Sequence, residues 1–201
     1  MTAWYLARAT GMVALLAFTA STALGALATR TGNRSVRALD RRYLTQVAHR
    51  SAAILGLVAL AAHVVLLITD AYVDVGVSST LLPFTAGYRP LALGLGTLAV
   101  YAFIAVAVSG AMRGRLATSR RGVRTWRAVH LSAYVGWALS MGHGLLAGTD
   151  TGATWSTAIY VACGAAVVVA VALRLRTAAR ERRSPLVSAR TLARTPVRSS
   201  R

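Results

Sequence analysis

The chain has 201 residues, 56% of them hydrophobic and only 14% charged, with a mean hydropathy of +0.56. Apolar residues in long uninterrupted runs exclude an ordinary soluble domain and predict a polytopic membrane protein, an all-α helix bundle. All 23 basic residues are arginine, against five acidic residues, for a net charge of +18. Because the arginines fall between the apolar runs, they mark cytoplasmic loops rather than a nucleic-acid surface.

Five spans are predicted. The first covers about Ala9 to Ala28, long enough to cross a hydrocarbon core. Ala26-Leu27-Ala28 resembles a signal-peptidase site, but the positive charge follows the run (Arg30, Arg34) instead of preceding it, which favours a retained helix. The next loop, Thr29 to Gln46, holds five arginines against Asp40 and is expected in the cytoplasm, with the N-terminus outside. The second span, near Ala48 to Thr69, opens into a nearly neutral outer loop with Asp70 and Asp74 that closes on Tyr88-Arg89-Pro90. Pro90 suits the first turn of the third span, about Leu91 to Met112, where its missing N–H has no helical partner to lose. Arg113, Arg115, Arg120, Arg121, Arg124 and Arg127 bring the chain back inside. The fourth span, about Ala128 to Ala147, ends at the polar turn Gly148 to Gly152, and the fifth runs from about Ala153 to Leu173. Residues 1–178 form one predicted domain. Residues 179–201 form an Arg-rich cytoplasmic tail that lacks apolar periodicity and is expected to be disordered. On this assignment only Arg8 and Arg89 lie outside, which supports five spans with the C-terminus in. Trp4, Tyr5, Tyr72, Tyr88, Trp126 and Trp155 lie near span ends, as an interfacial aromatic belt would place them. Cys163, the sole cysteine, reads as a small core residue.

The four histidines concentrate in two of these spans. His49 and His63 are fourteen residues apart in the second, His130 and His143 thirteen apart in the fourth. Both spans run from inside to outside, so His49 shares a level with His130 and His63 with His143. At about 1.5 Å rise per residue the two levels lie roughly 20 Å apart. Two imidazoles on either side of one iron is a haem-ligation pattern, so the constellation predicts two stacked haems. Fourteen residues at about 100° each return a side chain to within about 40° of one face, whereas thirteen miss by about 140°. The fourth span must therefore bend, unwind, or grip its two groups on different sides, and Gly136, Gly142 and Gly144 make a distortion plausible. Arg50 and Arg127 are placed to pair with haem propionates at the inner face, or else to snorkel to headgroups, and Arg89 is similarly placed outside. Phe103, Tyr134 and Trp137 lie at mid-depth, where packing is the simpler role. Gly94 to Ala99 formally fits a dinucleotide fingerprint but sits inside a span with no preceding strand. Its small residues are expected to admit a neighbouring helix or a porphyrin. No repeat of 20–50 residues is obvious.

Taken together, Ala48-His49-Arg50, His63, Pro83 to Pro90, Leu93 to Gly96, Trp126 to His130, Tyr134, His143 and Gly148-Thr149-Asp150 resemble the ferric reductase-like transmembrane domain. That family includes ferric reductases, NADPH oxidases and the haem subunit of the methionine sulfoxide reductase system. The resemblance implies that His49, His63, His130 and His143 ligate two b-type haems that pass electrons from a cytoplasmic reductant to an outer acceptor in the plasma membrane. The sequence shows no flavin or nicotinamide site, so the donor is expected to be a separate flavoprotein, a flavin or a quinol. The rival readings are a histidine proton or solute pathway, disfavoured by the lack of mid-span Asp, Glu or Lys, and a membrane scaffold with structural histidines.

Overall fold

The computed structural model describes residues 2–28, 36–70 and 75–194, with side chains to Arg180. Arg30, Arg34, Tyr72, Asp74 and residues 195–201 lie outside that set. Among the described residues there are seven helices: α1 (Thr2–Leu27), α2 (Val36–Thr69), α3 (Val77–Leu81), α4 (Pro90–Ala111), α5 (Arg113–Leu116), α6 (Arg120–Ala147) and α7 (Thr154–Arg194). There is no strand among the described residues.

α1, α2, α4 and α7 are long and apolar enough to cross a membrane. Exposed apolar side chains on them, such as Val58 at 63% and Val168 at 66%, are those that a bilayer rather than a protein core would cover. The chain is a helical membrane protein. Among the described residues four helices meet that standard by length and composition, against the five spans expected. α6 falls short because Arg127, His130, Ser132, Ser140 and His143 dilute its apolar residues, although its 28 residues give it the necessary length.

Helices also claim more of the arginine-rich connections than expected. α2 begins at Val36 and α6 at Arg120, because arginine, alanine and leucine favour helix wherever nothing interrupts them. Ser119 starts α6, its Oγ accepting the N–H of Gly122 at 3.0 Å. Pro90 occupies the first turn of α4 as expected, preceded by Arg89 in the left-handed region at φ 44°. α7 continues through residues 179–194, a stretch expected to be disordered for want of apolar periodicity. The helix continues there although Pro185 lies within it.

Two helical hairpins form the bundle. α1 packs along α2 and α4 along α6, and these are the most extensive contacts in the molecule. α1 also touches α6, which joins the hairpins, and α7 leans against α1. Phe18 and Phe103 stack at the centre with ring centroids 3.8 Å apart and planes 9° from parallel. Ala14, Ala59 and Ala99 surround them. Cys163 is buried beside Leu15 and Tyr160, the core position expected for it. Across the hairpins, Trp137 Nε1 donates to Thr19 Oγ1 at 2.9 Å.

Candidate functional site

α2 and α6 carry the four histidines, and the bundle brings them together in two pairs. His49 and His130 have ring centroids 6.2 Å apart with planes at 70°, and His63 and His143 stand 6.3 Å apart at 76°. These are the pairings expected from the topology. The spacing is informative because each metal–imidazole bond is about 2.0–2.1 Å in zinc sites and a ring centre lies roughly 1.1 Å behind its nitrogen, so trans imidazoles on one metal have centroids about 6.3 Å apart.

The other two helices of the hairpins orient these rings. His63 Nδ1 donates to the Ala7 carbonyl at 2.7 Å, His49 Nδ1 to the Ser21 carbonyl at 2.8 Å, and His143 Nδ1 to the Ala92 carbonyl at 2.8 Å. A carbonyl only accepts, so the proton sits on Nδ1 and Nε2 keeps its lone pair, the tautomer a metal ligand requires. His130 is held more loosely. Its Nδ1 lies 3.5 Å from Ser109 Oγ, which in turn donates to the Val106 carbonyl at 2.8 Å.

Each acceptor lies four residues before a glycine, and that glycine faces the ring. A Cβ built on Gly11 would stand 2.9 Å from His63 Nδ1, one on Gly25 would stand 3.3 Å from His49 Nδ1, and one on Gly96 would stand 2.8 Å from His143 Nδ1. At Gly110 the nearest approach, to His130 Cε1, relaxes to 3.8 Å. The missing side chain lets an imidazole lie against the helix backbone and reach a carbonyl already used within the helix. Halfway between the glycines of each helix stands an aromatic ring, Phe18 or Phe103. Each faces a further glycine halfway between the histidines, Gly56 or Gly136.

The two hairpins therefore repeat one plan. Gly11, Phe18 and Gly25 map onto Gly96, Phe103 and Gly110 at a constant offset of 85 residues, while His49, Gly56 and His63 map onto His130, Gly136 and His143 with one residue missing. No repeat is obvious in the sequence because only these few positions carry it, and the intervening apolar residues are interchangeable in lipid. The signal of Gly11, Gly25, Gly110 and Phe18 in the sequence is their seven- and fourteen-residue spacing. The missing residue is the awkward thirteen. α6 runs through the gap as one continuous helix, and both His130 and His143 face glycines of α4.

Other expected site residues have different surroundings. Arg50 and Arg127 are exposed. Arg89 caps the end of α6, donating to the carbonyls of Leu146 (2.9 Å) and Ala147 (3.4 Å), a favourable place for a cation at a helix C-terminus. Gly94 and Gly96 admit the rings of Phe84 and His143, which accounts for the spurious fingerprint. Trp126 does more than line an interface, since its ring stacks on His130 at 5.2 Å and 19°.

A cavity of about 600 Å³ surrounds the His63–His143 pair, within the range of about 300–1,000 Å³ usual for small-molecule and cofactor sites. Leu60, Val64, Leu67, Leu93 and Val100 give it apolar walls. Its mouth carries Tyr5, Tyr88, Trp155 and the ion pair between Arg8 and Asp150. Among the described residues no three His, Cys, Asp or Glu side chains cluster, so each pair offers a metal two protein ligands. A bare zinc ion needs four ligands, whereas an equatorial macrocycle supplies the rest. The tautomers, the centroid spacing and the cavity all fit a bis-imidazole haem.

These features define a helical membrane protein built from two like hairpins around paired imidazoles. No protein-family model, curated protein or solved structure matches the chain.

Proposed function

We propose that the chain is a di-haem membrane cytochrome b, the membrane component of a ferric reductase-like oxidoreductase in the plasma membrane. The observation that carries this reading is the double occurrence of an imidazole pair at trans-ligand spacing, with Nδ1 of His49, His63 and His143 tied to backbone carbonyls. His49 and His130 hold the inner haem, and His63 and His143 the outer one. Bound haem supplies reversible one-electron chemistry at iron.

The chain's own residues set the conditions for that chemistry. The Nδ1–H bonds fix ring orientation and raise the basicity of Nε2. Held by a histidine pair at each level, haem would supply electron transfer rather than oxygen chemistry. The apolar walls around His63 and His143 keep water away. Phe18 and Phe103 fill the space halfway between the levels, about 10 Å along the helix from each. The N-terminus faces outward and the arginine-rich connections face the cytoplasm. Electrons come from a separate cytoplasmic flavoprotein, flavin or quinol and leave to an extracytoplasmic acceptor.

A reduced-minus-oxidised absorption spectrum of the purified protein tests the reading. A b-type signal with two haems per chain is expected. A colourless protein would leave the histidine relay or the scaffold. The basic inner face, with Arg113, Arg115, Arg120, Arg121, Arg124 and Arg127, fits an acidic flavoprotein donor. Raising ionic strength from 0.01 M to 0.15 M shortens the Debye length from about 30 Å to about 8 Å. The rate of reduction by such a donor is expected to fall steeply across that range, and a flat salt profile would count against this docking face.

A further inference from the structure

Trp126 Nε1 is the one buried side-chain polar atom without a hydrogen-bond partner among the described residues. Indole nitrogen can only donate, and a buried donor left unpaired costs free energy unless something accepts from it. The Arg113 guanidinium lies over the same ring, 5.1 Å from its centre, and meets no carboxylate among the described residues. At the other level the contrast is plain, since Arg8 is already paired with Asp150. Two donors without an acceptor, one charged and one buried, thus stand beside the His130 ring on which Trp126 stacks. An anionic oxygen acceptor, a carboxylate or a phosphate, satisfies both.

We propose that Trp126 and Arg113 form a carboxylate-binding subsite beside the His49–His130 pair, occupied by an acidic side chain of the macrocycle held there. The proposal rests on the di-haem reading and selects Arg113 over Arg50 and Arg127, all three exposed, because the Arg113 guanidinium lies over the Trp126 ring. Arg113 supplies charge, and the indole N–H supplies direction. The Trp126 ring stacks on His130, so one side chain would seat both the imidazole and the macrocycle edge.

The test is an absorbance titration of the full chain in detergent micelles with iron protoporphyrin IX and, separately, with its dimethyl ester, which lacks the carboxylates. A His63→Ala background reports the inner site alone. The free acid is expected to bind there at least roughly tenfold more tightly than the ester, as a charge-assisted hydrogen bond implies. Trp126→Phe, which keeps the ring stack, and Arg113→Gln should each erode that preference while leaving ester affinity nearly unchanged, and Arg113→Lys should restore part of it. Equal losses for acid and ester would show a packing role only and overturn the proposal, as would a preference untouched by Trp126→Phe. If acid and ester bind alike while millimolar succinate perturbs Trp126-dependent fluorescence, the subsite takes a free carboxylate and the macrocycle assignment falls. Failure of the unsubstituted chain to bind either porphyrin would overturn the di-haem reading itself, a result separable from any change in acid-over-ester preference.

Discussion

Gly96→Val should empty the outer site and leave the inner one filled. A single added carbon at Gly96 would already lie 2.8 Å from Nδ1 and 3.0 Å from Cε1 of His143, and the branched side chain adds more. The ring must then leave the α4 backbone and give up its bond to the Ala92 carbonyl. A ligand constellation needs placement within about 0.5 Å, so a displacement of this size removes a ligand rather than adjusting it. Overpacking adds a cost of about 1–3 kcal/mol to the fold. Haem content is expected to drop from two to about one per chain, with helicity by circular dichroism retained. Gly11→Val should do the same through His63. The effect should be graded by distance. Gly25→Ala, at 3.2–3.3 Å from His49, should weaken the inner site, and Gly110→Ala, at 3.8 Å from His130, should be nearly silent. A Gly96→Val protein with two haems, or a Gly110→Ala protein that loses one, would show that the glycines do not seat the imidazoles.

Removing His49, His130, or both should deplete the inner haem and spare the outer one. Removing His63, His143, or both should cost the outer haem alone. The two rings of a pair share one metal, so the second deletion finds nothing left to remove and the double variant matches the worse single one. Deletions taken from different pairs lie about 20 Å apart along α2 and should add, as independent sites do, leaving a colourless chain. Haem per chain and the separate spectral components report both patterns. Additive loss within a pair, or loss of both haems from one substitution, would contradict shared ligation. The looser hold on His130 adds a finer expectation, because a ligand with a weak Nδ1–H bond is less firmly oriented. His130→Ala should therefore retain more residual inner haem than His49→Ala.

The sequence alone determined that this is a helical membrane protein, where most spans run, which histidines share a level, and that Pro90 opens a helix. Each of these follows from composition, from apolar run length, from charge bias and from the number of residues between two imidazoles, all of which survive in one dimension. Only the tertiary structure decided how the rings are held. The glycines at 11, 25, 96 and 110 are ordinary small residues in an apolar run until a ring from another helix lies against them. Phe18 is one more apolar side chain until it meets Phe103. Trp126 passes for an interface anchor until its ring is found on His130, and Arg89 for a ligand-binding cation until it reaches the end of α6. The thirteen-residue gap left open a bend, local unwinding or a two-sided grip, and the continuous α6 removes local unwinding from that choice. The division has one physical cause. In a bilayer nearly every apolar residue satisfies the local environment, so local pattern fixes the spans. Which small residue yields to which ring depends on contacts between helices, and those exist only once the hairpins pack.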